Sequence, residues 1–276
     1  MDAQQETREA AQSRWMTGLA RTGLAARGLL YVLVGIIALQ IAFGSGEKEA
    51  DSSGAVQTLA EKPGGIVLLW LIVVGLAGLA LWRLAEAAFG AAGPGGHKPS
   101  KRLLSLGRGV FYIGFFVTTL LFTIGAREKE SSDEKSKDLT GRAMHDVPGG
   151  RWLVLLAGLV LVGVGIGMAW RALAKKKFME KLTVTGHARE VVEKLGMTGR
   201  TARALVYGTA GVFLAYAGIS FDPDKAEGVD GTLREFATTP AGPWLLVAVA
   251  LGLVTFGVYS ACEAKWRQVT PGNNPG

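Results

Sequence analysis

Six stretches of this chain contain no Asp, Glu, Lys or Arg: Gly28–Gly46, Pro63–Trp82, Gly109–Ala126, Trp152–Trp170, Ala204–Phe221 and Phe236–Cys262. They are 19, 20, 18, 19, 18 and 27 residues long, and the charged residues crowd between them. A helix that crosses the hydrocarbon of a bilayer needs about 20 apolar residues. The pattern predicts an all-α, polytopic membrane protein with six transmembrane helices. A soluble helical protein would not need six such runs.

Charge alternates from gap to gap. Twenty Lys and Arg fall on one side of the predicted spans and ten on the other, whereas the acids divide eight to fifteen in the opposite sense. The positive-inside rule places both termini in the cytoplasm and the protein in the cell membrane as a multi-pass chain. In this setting the net charge of +7 reflects topology, and no nucleic acid partner is expected. The expected partners are the bilayer and, on the cytoplasmic side, anionic lipid headgroups. Protein partners are not readable from the residues. Cys262 is the only cysteine, so no intramolecular disulfide forms. The N-terminal residues do not look like a cleavable leader, and Asp2 stands where N-myristoylation needs glycine.

The odd-numbered spans are each preceded by a related segment: Arg27-Gly-Leu-Leu-Tyr31, Arg108-Gly-Val-Phe-Tyr112 and Arg203-Ala-Leu-Val-Tyr207. The even-numbered spans follow Pro63-Gly-Gly, Pro148-Gly-Gly-Arg-Trp152 and Pro240-Ala-Gly-Pro-Trp244. Ten residues before each proline stands Ser53, Asp138 or Asp230, read as a helix N-cap, and four before it Leu59, Met144 or Phe236. Each outer loop is therefore expected to carry a short amphipathic helix that tucks one apolar residue inward and stops near the proline. Two spans per copy give every copy the same orientation, so the three two-helix repeats are parallel and any pseudo-threefold axis follows the membrane normal. The expected division is a tail (1–18), repeat 1 (19–90), repeat 2 (100–176), an amphipathic cytoplasmic linker (177–194), repeat 3 (195–267) and a C-terminal tail (268–276).

These anchors, with Trp82-Arg-Leu-Ala-Glu86 and Glu263, resemble the bacterial family catalogued as domain of unknown function 1206 over residues 19–267. The resemblance implies tandem two-span repeats. It carries no activity or catalytic residue that could be transferred.

Glu86 and Glu263 stand at cytoplasmic helix ends, where neither the helix dipole nor the topology signal favours an acid. The expected pairs are Arg27 with Glu86 and Arg203 with Glu263, a clasp within each hairpin. An ion or proton site at the cytoplasmic end is the sharper alternative, and solvated headgroup-level residues a third. Repeat 2 breaks the pattern, because Arg171 replaces the acid and leaves Arg108 without its equivalent partner. Arg171 either points at lipid phosphates or bridges to a neighbouring repeat's Glu. Tyr31, Tyr112 and Tyr207 follow one turn deeper.

No charged residue or histidine lies at mid-depth, and no proline interrupts a span centrally, which weighs against an ion-coupled transporter. Gly75, Gly78, Gly158, Gly163, Gly165, Gly167, Gly252 and Gly257 suggest tight packing around an interior made by the even spans. A glycine-lined substrate path is the alternative. His97, His145 and His187 are scattered, so no metal site is suggested. Gly93-Pro-Gly-Gly lacks the lysine and hydroxyl residue of a phosphate loop, and no Gly-x-Ser-x-Gly occurs. No cofactor is called for and no catalytic residue stands out. Lys175–Lys177, Lys181, Arg189 and Lys194, with Phe178, Leu182, Val191, Val192 and Leu195, read as a basic amphipathic helix lying on headgroups. Glu128–Lys137 reads as a solvated loop with no site. The leading function is a non-enzymatic structural or partner-binding role. The alternative is a small transporter or channel with its path along the pseudo-threefold axis.

Overall fold

A computed structural model describes residues 14–44, 49–90, 98–126, 131–174, 178–179, 182–238 and 241–267. Both tails, the inner loop with Gly93 and His97, Lys175–Lys177, Lys181, residues 127–130 and Pro240 lie outside the described residues. Nine α-helices are described: α1 (Arg14–Ala42), α2 (Ser52–Ala60), α3 (Gly65–Phe89), α4 (Pro99–Thr123), α5 (Ser132–Asp146), α6 (Gly150–Leu173), α7 (His187–Ser220), α8 (Val229–Thr238) and α9 (Gly242–Trp266). Helices α1, α3, α4, α6, α7 and α9 are long and apolar enough to cross a membrane. In lipid every backbone donor and acceptor must be satisfied within the segment, which is why the uncharged runs become continuous helices. The protein is a multi-pass membrane protein.

Each repeat is a span, a short helix and a second span; the side that carries the short helices is termed outer and the opposite side inner, as labels of the fold alone. In repeats 1 and 2 the outer helix turns into the second span through Pro-Gly-Gly. Gly64 and Gly149 hold φ near +75° and +74°, the left-handed region that suits glycine. The following glycine is demanded by space. A Cβ on Gly65 would lie 1.6 Å from the Leu59 carbonyl oxygen, and one on Gly150 equally close to that of Ala143. In repeat 3 Ala241 has φ −99° and needs no glycine, while Gly242 keeps the close approach. Leu59, Met144 and Phe236 are buried beneath the outer helices, as their spacing suggests.

The helix starts differ from the expected caps. Asp51 caps α2, with its carboxylate accepting from the Ser53 and Gly54 N–H groups. Helix α5 starts six residues before Asp138, behind a capping box of Ser131 and Glu134. Asp138 is instead an interior residue paired with Arg142 at 2.9 Å. In repeat 3 Asp230 falls in the first turn of α8. Residues Ser132–Lys137, read as a loop without a role, form the first turns of α5. Phe236 belongs to α8, so the last uncharged run is divided between an outer helix and α9. The basic amphipathic segment is not a separate helix: His187–Lys194 open α7, which runs without a break to Ser220. Phe178 and Leu182 sit outside that helix, buried against the inner end of α9, where Thr183 N–H donates to the Trp266 carbonyl at 3.0 Å.

The spans pack in the sequence α4, α3, α1, α9, α7, α6. The second span of each repeat lies on the first span of the next: α3 on α4, α6 on α7, and α9 back on α1. In repeats 1 and 3 the two spans also pack on each other, whereas α4 and α6 of repeat 2 share at most a marginal contact. The core gathers Leu30, Val34 and Ile37 of α1, Leu69, Ile72 and Leu76 of α3, Val206 of α7 and Leu246 and Leu253 of α9, with Phe115 and Phe116 of α4 against it. The even spans therefore do not build a shared interior. Their glycines lie against odd spans: Gly75 against Gly23 and Ala26, Gly158 against Ala215, Gly165 against Gly208, Gly257 against Gly28. Gly163 and Gly167 face open space.

On the outer side the three short helices are joined cyclically. The Asp51 carboxylate of repeat 1 accepts from the Ser132 N–H of repeat 2 at 2.7 Å. Asp133 of repeat 2 accepts from the Gly228 N–H of repeat 3 at 2.8 Å. Asp230 of repeat 3 accepts from the Ala50 N–H of repeat 1 at 2.6 Å. Helix N-termini favour carboxylates, and here each acid also bridges to the start of another repeat's helix. Glu49 stands beside this ring. Burial, reinforced by the charges of Asp51 and Asp230, pushes its carboxyl up to about 7. Burial also raises Asp133 and Asp230 above their ordinary range.

Candidate functional site

The residues singled out by the repeat pattern divide between a packed inner cluster and an exposed remainder. Glu263, at the inner end of α9, is its hub. One carboxylate oxygen pairs with the Arg27 guanidinium of α1, and the other with Arg267 at 2.8 Å and Arg200 at 3.4 Å. Arg27 also donates from Nε to the Ser260 hydroxyl at 3.3 Å. Gly28 and Gly257 make this geometry possible: a Cβ on Gly28 would lie 2.8 Å from the Gly257 carbonyl oxygen, so α1 and α9 approach backbone to backbone.

The expected clasp is thus rearranged. Arg27 pairs with Glu263 of repeat 3 and not within its own hairpin. Glu86 receives Arg83, three residues before it on the same helix, at 2.5 Å, and the Ser105 hydroxyl of α4 at 3.3 Å. Arg203 faces aromatic rings. Its guanidinium lies 4.3 Å from the Phe256 ring centroid and 4.8 Å from that of Tyr31, and donates to the Tyr207 hydroxyl at 3.4 Å. The physical reason is helix adjacency. An arginine on a first span meets the last turn of the preceding repeat's second span, because those helices are in contact.

That rule accounts for the broken repeat. Its three positions are Arg27 with Glu263, Arg108 with Glu86, and Arg203 with Arg171. Arg108 stands near Glu86 but the carboxylate is taken by Arg83. In the third position the acid is replaced by Arg171, which is exposed, and Arg203 turns instead to the π faces.

The repeat tyrosines converge. The Tyr31 and Tyr207 hydroxyls are 2.9 Å apart, and Tyr112 lies beside Arg27. Tyr31 also packs edge-on against Phe256 at 4.8 Å. Repeat spacing sets Trp82 and Tyr259 at equivalent positions, nineteen residues after Pro63 and Pro240, but gives them no role and leaves Arg83, Arg200 and Arg267 unmarked. Arg83 and Arg267 stand three before Glu86 and four after Glu263, the offsets at which helical side chains meet, so that signal was present. The cluster offers directed guanidinium and phenol donors, which grip oxyanions. Among the described residues no group of His, Cys, Asp or Glu could hold a metal ion.

A family model described as Domain of Unknown Function (DUF1206) matches the chain three times, over residues 22–90, 105–175 and 198–267. A protein of Bacillus subtilis (strain 168) described as uncharacterized protein YxxB is 30% identical over 260 residues, 93% of each chain. No solved structure matches.

Proposed function

The chain belongs to the DUF1206 family, and we propose that it is a non-enzymatic protein of the cytoplasmic membrane with a structural or partner-binding role. Both termini and the arginine-rich ends of the spans face the cytoplasm, and the basic inner surface lies against anionic headgroups. The observation that carries this reading is the way the repeats are joined. Hydrogen bonds link all three outer helices, and the Arg27–Glu263 pair links the first and last repeats inside. Polar groups are thus spent on holding the repeats to one another. The centre between them is filled by apolar side chains, which supports a scaffold over a conduit.

A transport path along the axis would have to pass Leu30, Val34 and Phe116 and the Tyr31–Tyr207 hydroxyl pair. Two measurements test the proposal. Single-cysteine labelling in a Cys262→Ser background should modify Ser132→Cys from outside intact cells. Labelling of that position only after permeabilisation would reverse the topology. Proteoliposomes carrying the purified chain should show no more ion or solute leak than empty ones. A flux abolished by Tyr31→Phe would replace the scaffold reading with the conduit.

A further inference from the structure

The inner ends of the spans collect more positive charge than they neutralise. Arg27, Arg83, Arg108, Arg200, Arg203 and Arg267 gather around two carboxylates, Glu86 and Glu263. Charges taken out of water are tolerated when paired, and an excess of one sign in a partly dry site calls for a counter-charge.

The excess is concentrated around Trp82. This indole is 3% exposed and sits where α1, α3, α4 and α9 meet, against Leu24, Leu79, Tyr112 and Ala264. The Arg83 and Arg267 guanidiniums stack on it, at 4.3 and 4.8 Å from the ring centroid. Both arginines are buried, at 4% and 9% exposure. Each uses Nη1 for its carboxylate, at 2.5 Å to Glu86 and 2.8 Å to Glu263. The Nε–H of each, and the indole N–H of Trp82, are buried without an acceptor among the described residues. Arg108 of α4 stands within electrostatic reach of both, and among the described residues it makes no ion pair or hydrogen bond. N–H donors without a described partner thus lie around one junction of three repeats, beside the exposed guanidinium of Arg108.

We propose that Arg83, Arg108 and Arg267, with the indole N–H of Trp82, form a binding site for a phosphate group. The rigid guanidinium fork suits an oxyanion that accepts several directed bonds at once. A tetrahedral phosphate offers more acceptors than a carboxylate to donors arriving from three helices. The phosphate belongs either to an anionic lipid or to a soluble phosphorylated compound. Basic pockets between spans are known to take lipid headgroups, and Leu103, Leu104 and Val110 of α4 leave an apolar face exposed next to Arg108 where acyl chains would lie. The site holds whichever leaflet the inner ends face, so it stands apart from the topology proposed above.

The full chain, stripped of lipid in detergent, is tested with inorganic phosphate against chloride at equal ionic strength. It is tested separately in phosphatidylcholine nanodiscs with and without phosphatidylglycerol. The readouts are the unfolding midpoint and lipid retention by native mass spectrometry. Arg108→Gln removes an exposed guanidinium that pairs with no described residue, so this variant should fold. It should weaken phosphate or phosphatidylglycerol binding by roughly ten- to a hundredfold, the range spanned by one hydrogen bond to a charged group. Arg171→Gln, an exposed arginine outside the site, should leave binding unchanged. Trp82→Phe keeps a ring for stacking and removes the N–H, and should weaken binding to a lesser degree. Stabilisation by phosphatidylglycerol alone assigns the site to a lipid headgroup, and stabilisation by inorganic phosphate as well assigns it to the phosphate group itself. Stabilisation by neither, or equal losses in Arg108→Gln and Arg171→Gln, would overturn the proposal.

Discussion

Arg27 of the first repeat is ion-paired with Glu263 of the third, 236 residues further along the chain. The contact closes the array of repeats, because α1 and α9 are its first and last spans. It also makes Glu263, 2% exposed, the shared acceptor of three arginines.

Glu263→Gln should therefore be among the most damaging single substitutions, costing about 3–5 kcal/mol, as loss of one partner of a buried pair does. Arg27→Gln should cost less, since Arg200 and Arg267 still neutralise the acid. In a double-mutant cycle the Arg27/Glu263 coupling should fall within about 0.5–3 kcal/mol, and the Arg27/Glu86 coupling should be smaller. Thermal unfolding in detergent measures both. An Arg27/Glu86 coupling as large as that of Arg27/Glu263 would contradict the pairing between repeats.

The outer ring should make the protein acid-favoured. Glu49 has an ordinary value of 4.5 and is pushed up to about 7 by burial and its acidic neighbours. Asp133 and Asp230 are raised too, first by burial. Arg234 on Asp230 and Lys137 on Glu227 are the cations paired in this region. A carboxyl whose folded value is raised holds its proton longer in the folded state than in the unfolded one. Its contribution then declines as pH rises from about 4.5 to about 7 and stays flat above. The unfolding midpoint should fall across that window, and Glu49→Gln should flatten the decline and raise the midpoint at pH 8. A Glu49→Gln profile parallel to that of the wild type would show that Glu49 is not the titrating group.

Much of this architecture is legible in the residues, for reasons that can be named. The spans show because a bilayer tolerates almost no charge, so Gly28–Gly46 and its counterparts announce themselves without any partner. The burial of Leu59, Met144 and Phe236 follows from their fixed distance before the prolines. Pairing is different. Glu86 and Glu263 stand at helix ends where several arginines compete, and the winner depends on which helices touch. Adjacency of α9 and α1 comes from glycines 229 residues apart, Gly28 and Gly257, and no local pattern reveals it. A ten-residue offset from the proline falls inside α5 and short of its cap, because this outer helix, at 15 residues, is longer than the other two. The charge of His187–Lys194 reads as a separate amphipathic helix lying on headgroups, because no local signal shows that it continues without a break into the apolar part of α7.

The two close turns give a sharper comparison. Gly65→Ala and Gly150→Ala each place a methyl group 1.6 Å from a backbone carbonyl oxygen, which cannot be relieved by rotating a side chain. Each should destabilise by about 1–3 kcal/mol, the usual cost of overpacking. Gly163→Ala enters open space and should be neutral or stabilising by up to about 1 kcal/mol, from the lower backbone entropy of alanine in a helix. Parallel melts of the three variants decide this. A neutral Gly65→Ala would mean that the outer helix does not fold back on α3 so closely.

The last prediction concerns the arginine that breaks the repeat. The register that sets Gly165 against Gly208 and Ala204 brings position 171 of α6 to the level of Arg203 on α7. Restoring an acid there with Arg171→Glu should create, between repeats 2 and 3, an equivalent of the Arg27–Glu263 pair. Position 171 is exposed, so the gain should be small, within about 0–1 kcal/mol. Arg203→Gln alone should lose its stacking on Phe256 and Tyr31, and in that background Arg171→Glu should no longer stabilise. The measurement is again a cycle of unfolding midpoints, at low ionic strength where an exposed pair is least screened. A gain from Arg171→Glu that survives in the Arg203→Gln background would mean that position 171 acts through the general charge of the inner surface, and pairing between repeats would then be confined to Arg27 and Glu263.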